Sequence, residues 1–144
     1  MIASAAKGNL ANAGIVLEDG NVIAQSESLV VSDSDATAHS ERLLVSEVCK
    51  QKYTNYTPGL TLITVVEPCL MCLSACQWGG YARVGYIIPA DRYLAKIPWM
   101  AETKDLDKTM VVKTFANPME YIHMKAYEET FASVFEEAMK SLLQ

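Results

Sequence analysis

Apolar positions arrive first as short β-type runs and only near the end of the chain in a helical period. Ala13-Gly14-Ile15-Val16-Leu17 and Val22-Ile23-Ala24-Gln25 flank Glu18-Asp19-Gly20-Asn21. An Asp-Gly pair between two such runs predicts a hairpin. Residues 26–36 are polar and without an apolar period, which predicts a loop. Thr37 or Asp35 can then cap a helix over 38–50, with Leu43, Leu44 and Val48 turned inward. Tyr53 to Gly59 is a connector closing on Pro58-Gly59. Leu60 to Val66 is nearly all apolar and rich in β-branched residues, as in a strand buried on both faces. Pro68 suits the first turn of a helix reaching Trp78, stopped by Gly79-Gly80. Ala82 to Ile88 is a further strand, 89–108 mostly loop, and Met110 to Thr114 a short strand. From Pro118 onward Met124, Tyr127, Phe131, Val134, Ala138 and Leu142 recur at helical spacing. Glu128, Glu129, Glu136, Glu137 and Lys140 take the opposite face, so an amphipathic helix docked on the sheet is expected. Residues 2–8 read as the last turns of a helix ending at Gly8. This order predicts an α/β fold: one domain over 1–144, a three-layer α/β/α sandwich around a mixed sheet.

Composition narrows the class. At 51% hydrophobic and 20% charged, the 144 residues describe a globular chain rather than a disordered or fibrous one. No apolar run is long enough to span a bilayer, and Met1 to Lys7 lacks the core of a signal peptide, so a cytoplasmic location is expected. Four cysteines in that setting are thiols or metal ligands before they are disulfides. The net charge of -5 and the scattered Lys and Arg count against a nucleic-acid partner and favour a small molecule.

Two short runs carry the chemistry: Thr37-Ala38-His39-Ser40-Glu41 and Glu67-Pro68-Cys69-Leu70-Met71-Cys72. One imidazole and two thiolates leave a zinc ion one open position, the pattern of a catalytic rather than a structural site. Zn2+ lowers the pKa of its bound water to roughly 7, which makes hydroxide available at neutral pH. Glu41 lies two residues past His39, off its helical face, and is better placed to reach that water than to ligate. Cys-x-x-Cys alone also occurs in redox sites and zinc ribbons. Both runs in this order resemble the H-x-E…P-C-x-x-C signature of zinc nucleobase deaminases. The chain is thus similar to the cytidine deaminase-like superfamily, and within it to the compact guanine deaminases and tRNA adenosine deaminases.

The resemblance implies that His39, Cys69 and Cys72 bind zinc. It also implies that Glu41 carries protons from the water to a ring nitrogen and to departing ammonia. Ser40 stands where relatives usually have Ala; the family's backbone amide there holds the base, which makes Ser40 a candidate substrate contact whose side chain need not matter. Guanine deaminases of this type carry a Trp at the place of Trp78, lining the base pocket. Ser28 stands where the family often has an Asn that reads the base, and Glu27 could add a carboxylate. A free nucleobase, guanine or a similar purine, is therefore the expected substrate. The alternatives are a pterin, triazine amine, cytosine or other amino-heterocycle, a tRNA adenosine, or, from another class, a catalytically idle zinc-stabilised binding module. Glu41 counts against the last, because a structural metal needs no carboxylate beside it. Relatives commonly form homodimers in which a neighbour helps close the pocket. His123 is a candidate substrate contact, and Trp99, Phe115 and Tyr121 are candidate lids. Cys76 and Cys49 read first as core residues.

Overall fold

Asp19 and Gly20 both take positive φ, 50° and 80°, as a two-residue type I′ turn demands. They join β1 (Ala13–Glu18) to β2 (Asn21–Glu27) as the expected antiparallel hairpin. The computed structural model describes residues 1–97, 99–103 and 105–143. Its sheet has five strands in the order β2-β1-β3-β4-β5. Here β3 is Thr61–Val66, β4 is Arg83–Ile88 and β5 is Glu120–His123. β3 runs antiparallel to β1, while the β3–β4 and β4–β5 pairs are parallel.

A parallel pair needs a crossover, and α3 (Leu70–Gly79) supplies it between β3 and β4. Gly80 ends α3 in the left-handed conformation, φ 81°, its N–H turned to the carbonyls of Cys76 and Gln77. α2 (Ser40–Gln51) lies beside α3 on one face of the sheet. Side chains alternate along the strands. Val16, Leu62 and Val84 meet Leu44, Val48 and Leu73 on that face. Val65 and Ile87 meet Ala132, Phe135 and Met139 on the other. The second face belongs to α6 (Glu128–Ala138), with α1 (Ile2–Ala6) against it. The sheet is therefore the middle of three layers, as the sequence pattern predicts. α2 packs close over Gly14, where a Cβ would meet Ile63 O and Leu44 Cδ1 at 3.0 Å each.

The C-terminal third departs in part from expectation. The described residues of 89–108 are mostly loop as expected, broken by the short helix α4 (Asp91–Leu94). Met110 to Thr114, expected as a strand, belongs to a second short helix, α5 (Lys108–Lys113). Asp107 caps α5 through a hydrogen bond from the Thr109 amide at 2.9 Å. That cap outweighs a β-branched run too short to hold a strand. The helix expected from Pro118 starts only at Glu128, after β5 and a 3₁₀ turn at Lys125–Tyr127. Residues 120–123 instead pair with the edge of β4, from Arg83↔Glu120 to Tyr86↔His123. The buried stripe of α6 is Ala132 and Phe135, continued by Met139, whereas Tyr127, Val134 and Leu142 are exposed. Asp35 does not cap α2; its Oδ1 accepts from the Thr37 amide and hydroxyl, both at 2.8 Å, and turns the loop before His39. Among the described residues no helix is long and apolar enough to cross a membrane.

Candidate metal and active site

α2 and α3 begin side by side beyond the C-terminal end of β3, where open α/β sheets place their ligands. His39 and Cys69 are the N-caps of these helices, both with extended backbone (ψ 143° and 170°), and Cys72 follows on the first turn of α3. Cys69 Sγ lies 3.6 Å from His39 Nδ1 and 3.7 Å from Cys72 Sγ. All three ligand atoms fall within 4.8 Å of one another. Tetrahedral zinc, with Zn–S of about 2.3 Å and Zn–N of about 2.0 Å, requires roughly 3.8 Å between sulfurs and about 3.5 Å between sulfur and nitrogen. The donor set and both measured separations fit zinc as they stand.

The ligands also tune one another. The bond between the two sulfurs, helped by His39, pulls the Cys69 thiol well below its usual value. The same bond, with burial, pushes Cys72 up. The interaction with Cys69 raises His39. A divalent cation takes both sulfurs as thiolates.

Glu41 is 2% exposed and faces this group, with Oε2 3.8 Å from Cys72 Sγ. Its Oε1 accepts from Asn12 Nδ2 at 3.2 Å and lies 3.2 Å from Thr64 Oγ1; its Oε2 accepts from Ser40 Oγ at 3.0 Å. Burial is the main cause that raises its carboxyl above the usual glutamate value. The Ser40 hydroxyl is thus one of the donors that aim this carboxylate. Asn12 is fixed in turn: its Oδ1 accepts from the amides of Val66 at 2.9 Å and Ala13 at 3.0 Å.

A cavity of about 210 Å³ opens at His39, Glu41 and Cys69. Asn12, Ser28, Glu67 and Glu102 give it polar wall, and Leu10, Val66, Trp99 and Met100 give it apolar wall. The structure thus places Ser28, buried, and Trp99 on the cavity wall. It does not bring Trp78 there. Trp78 is 77% exposed near the end of α3, because the helix carries it two turns away from the ligands at its start. His123 also stands outside the cavity wall. It stacks on Tyr86 with ring centroids 5.0 Å apart, lies 3.0 Å from Glu128 Oε2, and has Nε2 3.2 Å from Ile87 O. Tyr121 reaches the site through Glu67, donating its hydroxyl to Oε1 at 2.7 Å, while Phe115 packs with the core under α2 and α3. Cys76 is fully buried in that core, where burial pushes its thiol up, and Cys49 is a half-buried free thiol.

Asn12, Thr64, Glu67 and Glu102 are the site residues that sequence reasoning missed. Glu67 had a signal, since it directly precedes Pro68. Asn12 and Thr64 are met only once β1 and β3 pair, and Glu102 lies in a stretch with no period at all.

A family model for the cytidine and deoxycytidylate deaminase zinc-binding region matches residues 2–88. No curated protein sequence matches the chain. Among solved structures, a guanine deaminase from Nitrosomonas europaea superposes with a TM-score of 0.81 at 21% identity, covering 94% of this chain and 76% of that one. A guanine deaminase from Bacillus subtilis gives 0.55 at 23% identity, over 83% and 93% of the two chains. A tRNA:A34 deaminase gives 0.69 at 20% identity, over 85% and 92%. At such identities the likeness is one of fold.

Proposed function

Because the chain belongs to the cytidine and deoxycytidylate deaminase zinc-binding family, and so to the zinc-dependent hydrolytic deaminases, we propose that its substrate is a free aminopurine, guanine or a close analogue. The observation that carries this is the small cavity with an acidic wall beside the metal ligands. Its volume of about 210 Å³ is below the roughly 300–1,000 Å³ of pockets for drug-sized ligands. That suits a fused two-ring base better than a base with its sugar and phosphates. Carboxylates only accept hydrogen bonds, so Glu67 and Glu102 match the N–H-rich edge of a 2-aminopurine. A site built to bond such an edge discriminates strongly against an analogue that lacks it. The fold shared with two guanine deaminases supports the same substrate class.

In this proposal His39, Cys69 and Cys72 would hold Zn2+, which when bound would make a water acidic enough to attack at neutral pH. Glu41 takes a proton from that water and delivers it to the ring nitrogen beside the reacting carbon. It then takes the remaining proton from the oxygen newly bonded to that carbon and hands it to the departing amine as the C–N bond breaks, so that one water is consumed and one ammonia leaves. Asn12, Thr64 and Ser40 hold Glu41 for both transfers. Trp99 and Met100 cover the ring, and Ser28 bonds its far edge.

The test is ammonia release from zinc-loaded protein with guanine, 2,6-diaminopurine, adenine, cytosine, their nucleosides and an anticodon stem-loop. Turnover of the 2-aminopurine bases ahead of the others is expected. Turnover of cytosine, a nucleoside or the stem-loop with none of guanine would refute the proposal.

A further inference from the structure

A buried cation stands behind the acidic wall of the cavity. Lys108, on the first turn of α5, has 5% of its side chain exposed. Its Nζ lies 2.8 Å from Glu102 Oε2 and 3.6 Å from Glu67 Oε1. Both acids face the cavity at the metal ligands, but Lys108 lines a neighbouring cavity of about 610 Å³ on the far side of the wall. It is therefore placed to act on substrate through the acids rather than directly.

The two acids are not held alike. Glu67 accepts from the Tyr121 hydroxyl at 2.7 Å and from the Ala90 amide at 2.9 Å, so elements on both sides fix it. Glu102 accepts from the amide of its neighbour Thr103 at 2.8 Å, which moves with it, and from Lys108. The segment 99–103 brings Trp99, Met100 and Glu102 onto the cavity without regular secondary structure. The bond from Lys108 to Glu102 is thus a tie between this strap and α5.

We propose that Lys108 is a positioning residue: it latches the strap 99–103 over the metal face and sets Glu102 to accept a hydrogen bond from a ring N–H of the base. The specificity half rests on the aminopurine substrate proposed above; the latch does not. Two desolvated carboxylates repel each other and resist burial unless a cation compensates them. With Lys108 gone, Glu102 gains by turning to water, and the strap goes with it. Glu67 stays, because Tyr121 and Ala90 still bind it.

Lys108→Met keeps the length and loses the charge; Lys108→Arg keeps the charge. In zinc-loaded full-length protein, Lys108→Met should speed chymotryptic cleavage after Trp99 at least tenfold, and Lys108→Arg should restore the slow rate. An unchanged rate at that bond, or an equal acceleration along the whole chain, would overturn the latch. For guanine, KM should rise tenfold or more in Lys108→Met while kcat falls less than threefold, and the preference for guanine over adenine should shrink by the KM factor. A loss confined to kcat would overturn the specificity role. In a Glu102→Gln background, Lys108→Met should add little to KM; full additivity would show that Lys108 does not act through Glu102. If the unaltered protein turns over no guanine, the substrate proposal fails, and the cleavage rates still decide the latch.

Discussion

Replacing Glu41 by Gln separates chemistry from architecture at this site. Gln has the same shape, and its amide oxygen can keep the bond from Asn12 Nδ2 now seen at 3.2 Å. Its amide nitrogen can donate to Ser40 Oγ, now 3.0 Å from Oε2. The fold therefore loses no packing and exchanges one hydrogen bond for another, a change of about 1 kcal/mol or less. Burial already disfavours the charged form of Glu41, so removing that charge from the interior does not weaken the core. The ligand atoms of His39, Cys69 and Cys72 are untouched, so zinc content should stay at that of the parent. What goes is the group proposed to carry protons. General acid–base catalysis is worth about 10²- to 10⁴-fold, which at about 1.4 kcal/mol per tenfold is roughly 3–5 kcal/mol of transition-state stabilisation. The assay pairs continuous ammonia release with elemental analysis of the same preparations. Activity within tenfold of the parent at full zinc would refute the role given to Glu41. Loss of the metal would refute the division between ligands and base.

Other residues allow equally direct checks. Gly14→Ala places a methyl at 3.0 Å from both Ile63 O and Leu44 Cδ1, so urea unfolding should show a loss of about 1–3 kcal/mol. Trp78→Ala should change kcat/KM less than twofold, since Trp78 is 77% exposed and outside the cavity. Trp99→Ala should raise KM several-fold, and the opposite ranking would restore Trp78 to the site. The Asp35 carboxyl is held below its usual value, first by the Thr37 amide and then by the Thr37 hydroxyl. Its stabilising effect is present above the ordinary aspartate pKa near about 3.9 and is lost as pH falls through the lower folded value. Asp35→Asn should therefore flatten the acid limb of the stability curve without moving the limb near neutrality, as read by denaturant midpoints against pH.

The hairpin, α2, β3, α3 and β4 were legible because each announces itself locally. Asp19-Gly20 has the turn chemistry, 60–66 has the apolar run, and Gly80 has the freedom to end a helix. The metal ligands were legible because their spacing is set by two helix starts, which sequence records directly. β5 was not, since 120–123 has no strand period and becomes a strand only by meeting the free edge of β4. α5 was misread because a three-residue β-branched cluster looks the same in either state, and the Asp107 cap decides it. Trp78 misled for a different reason: its identity matched an expected pocket residue, while the helix beneath it points that position to solvent. The wall residues Glu67 and Glu102 come from segments far apart in sequence, and no pattern in either predicts their meeting at Lys108.

His39 and Cys69 reach their positions as caps, with extended backbone ahead of the helices that follow. The turns beyond them make their own hydrogen bonds and ask nothing of the imidazole or the thiols. Exchanges along the outer sides of those helices can therefore accumulate while the donors keep their spacing. A lineage built this way is free to rewrite most of its scaffold and still present the same three atoms to an ion.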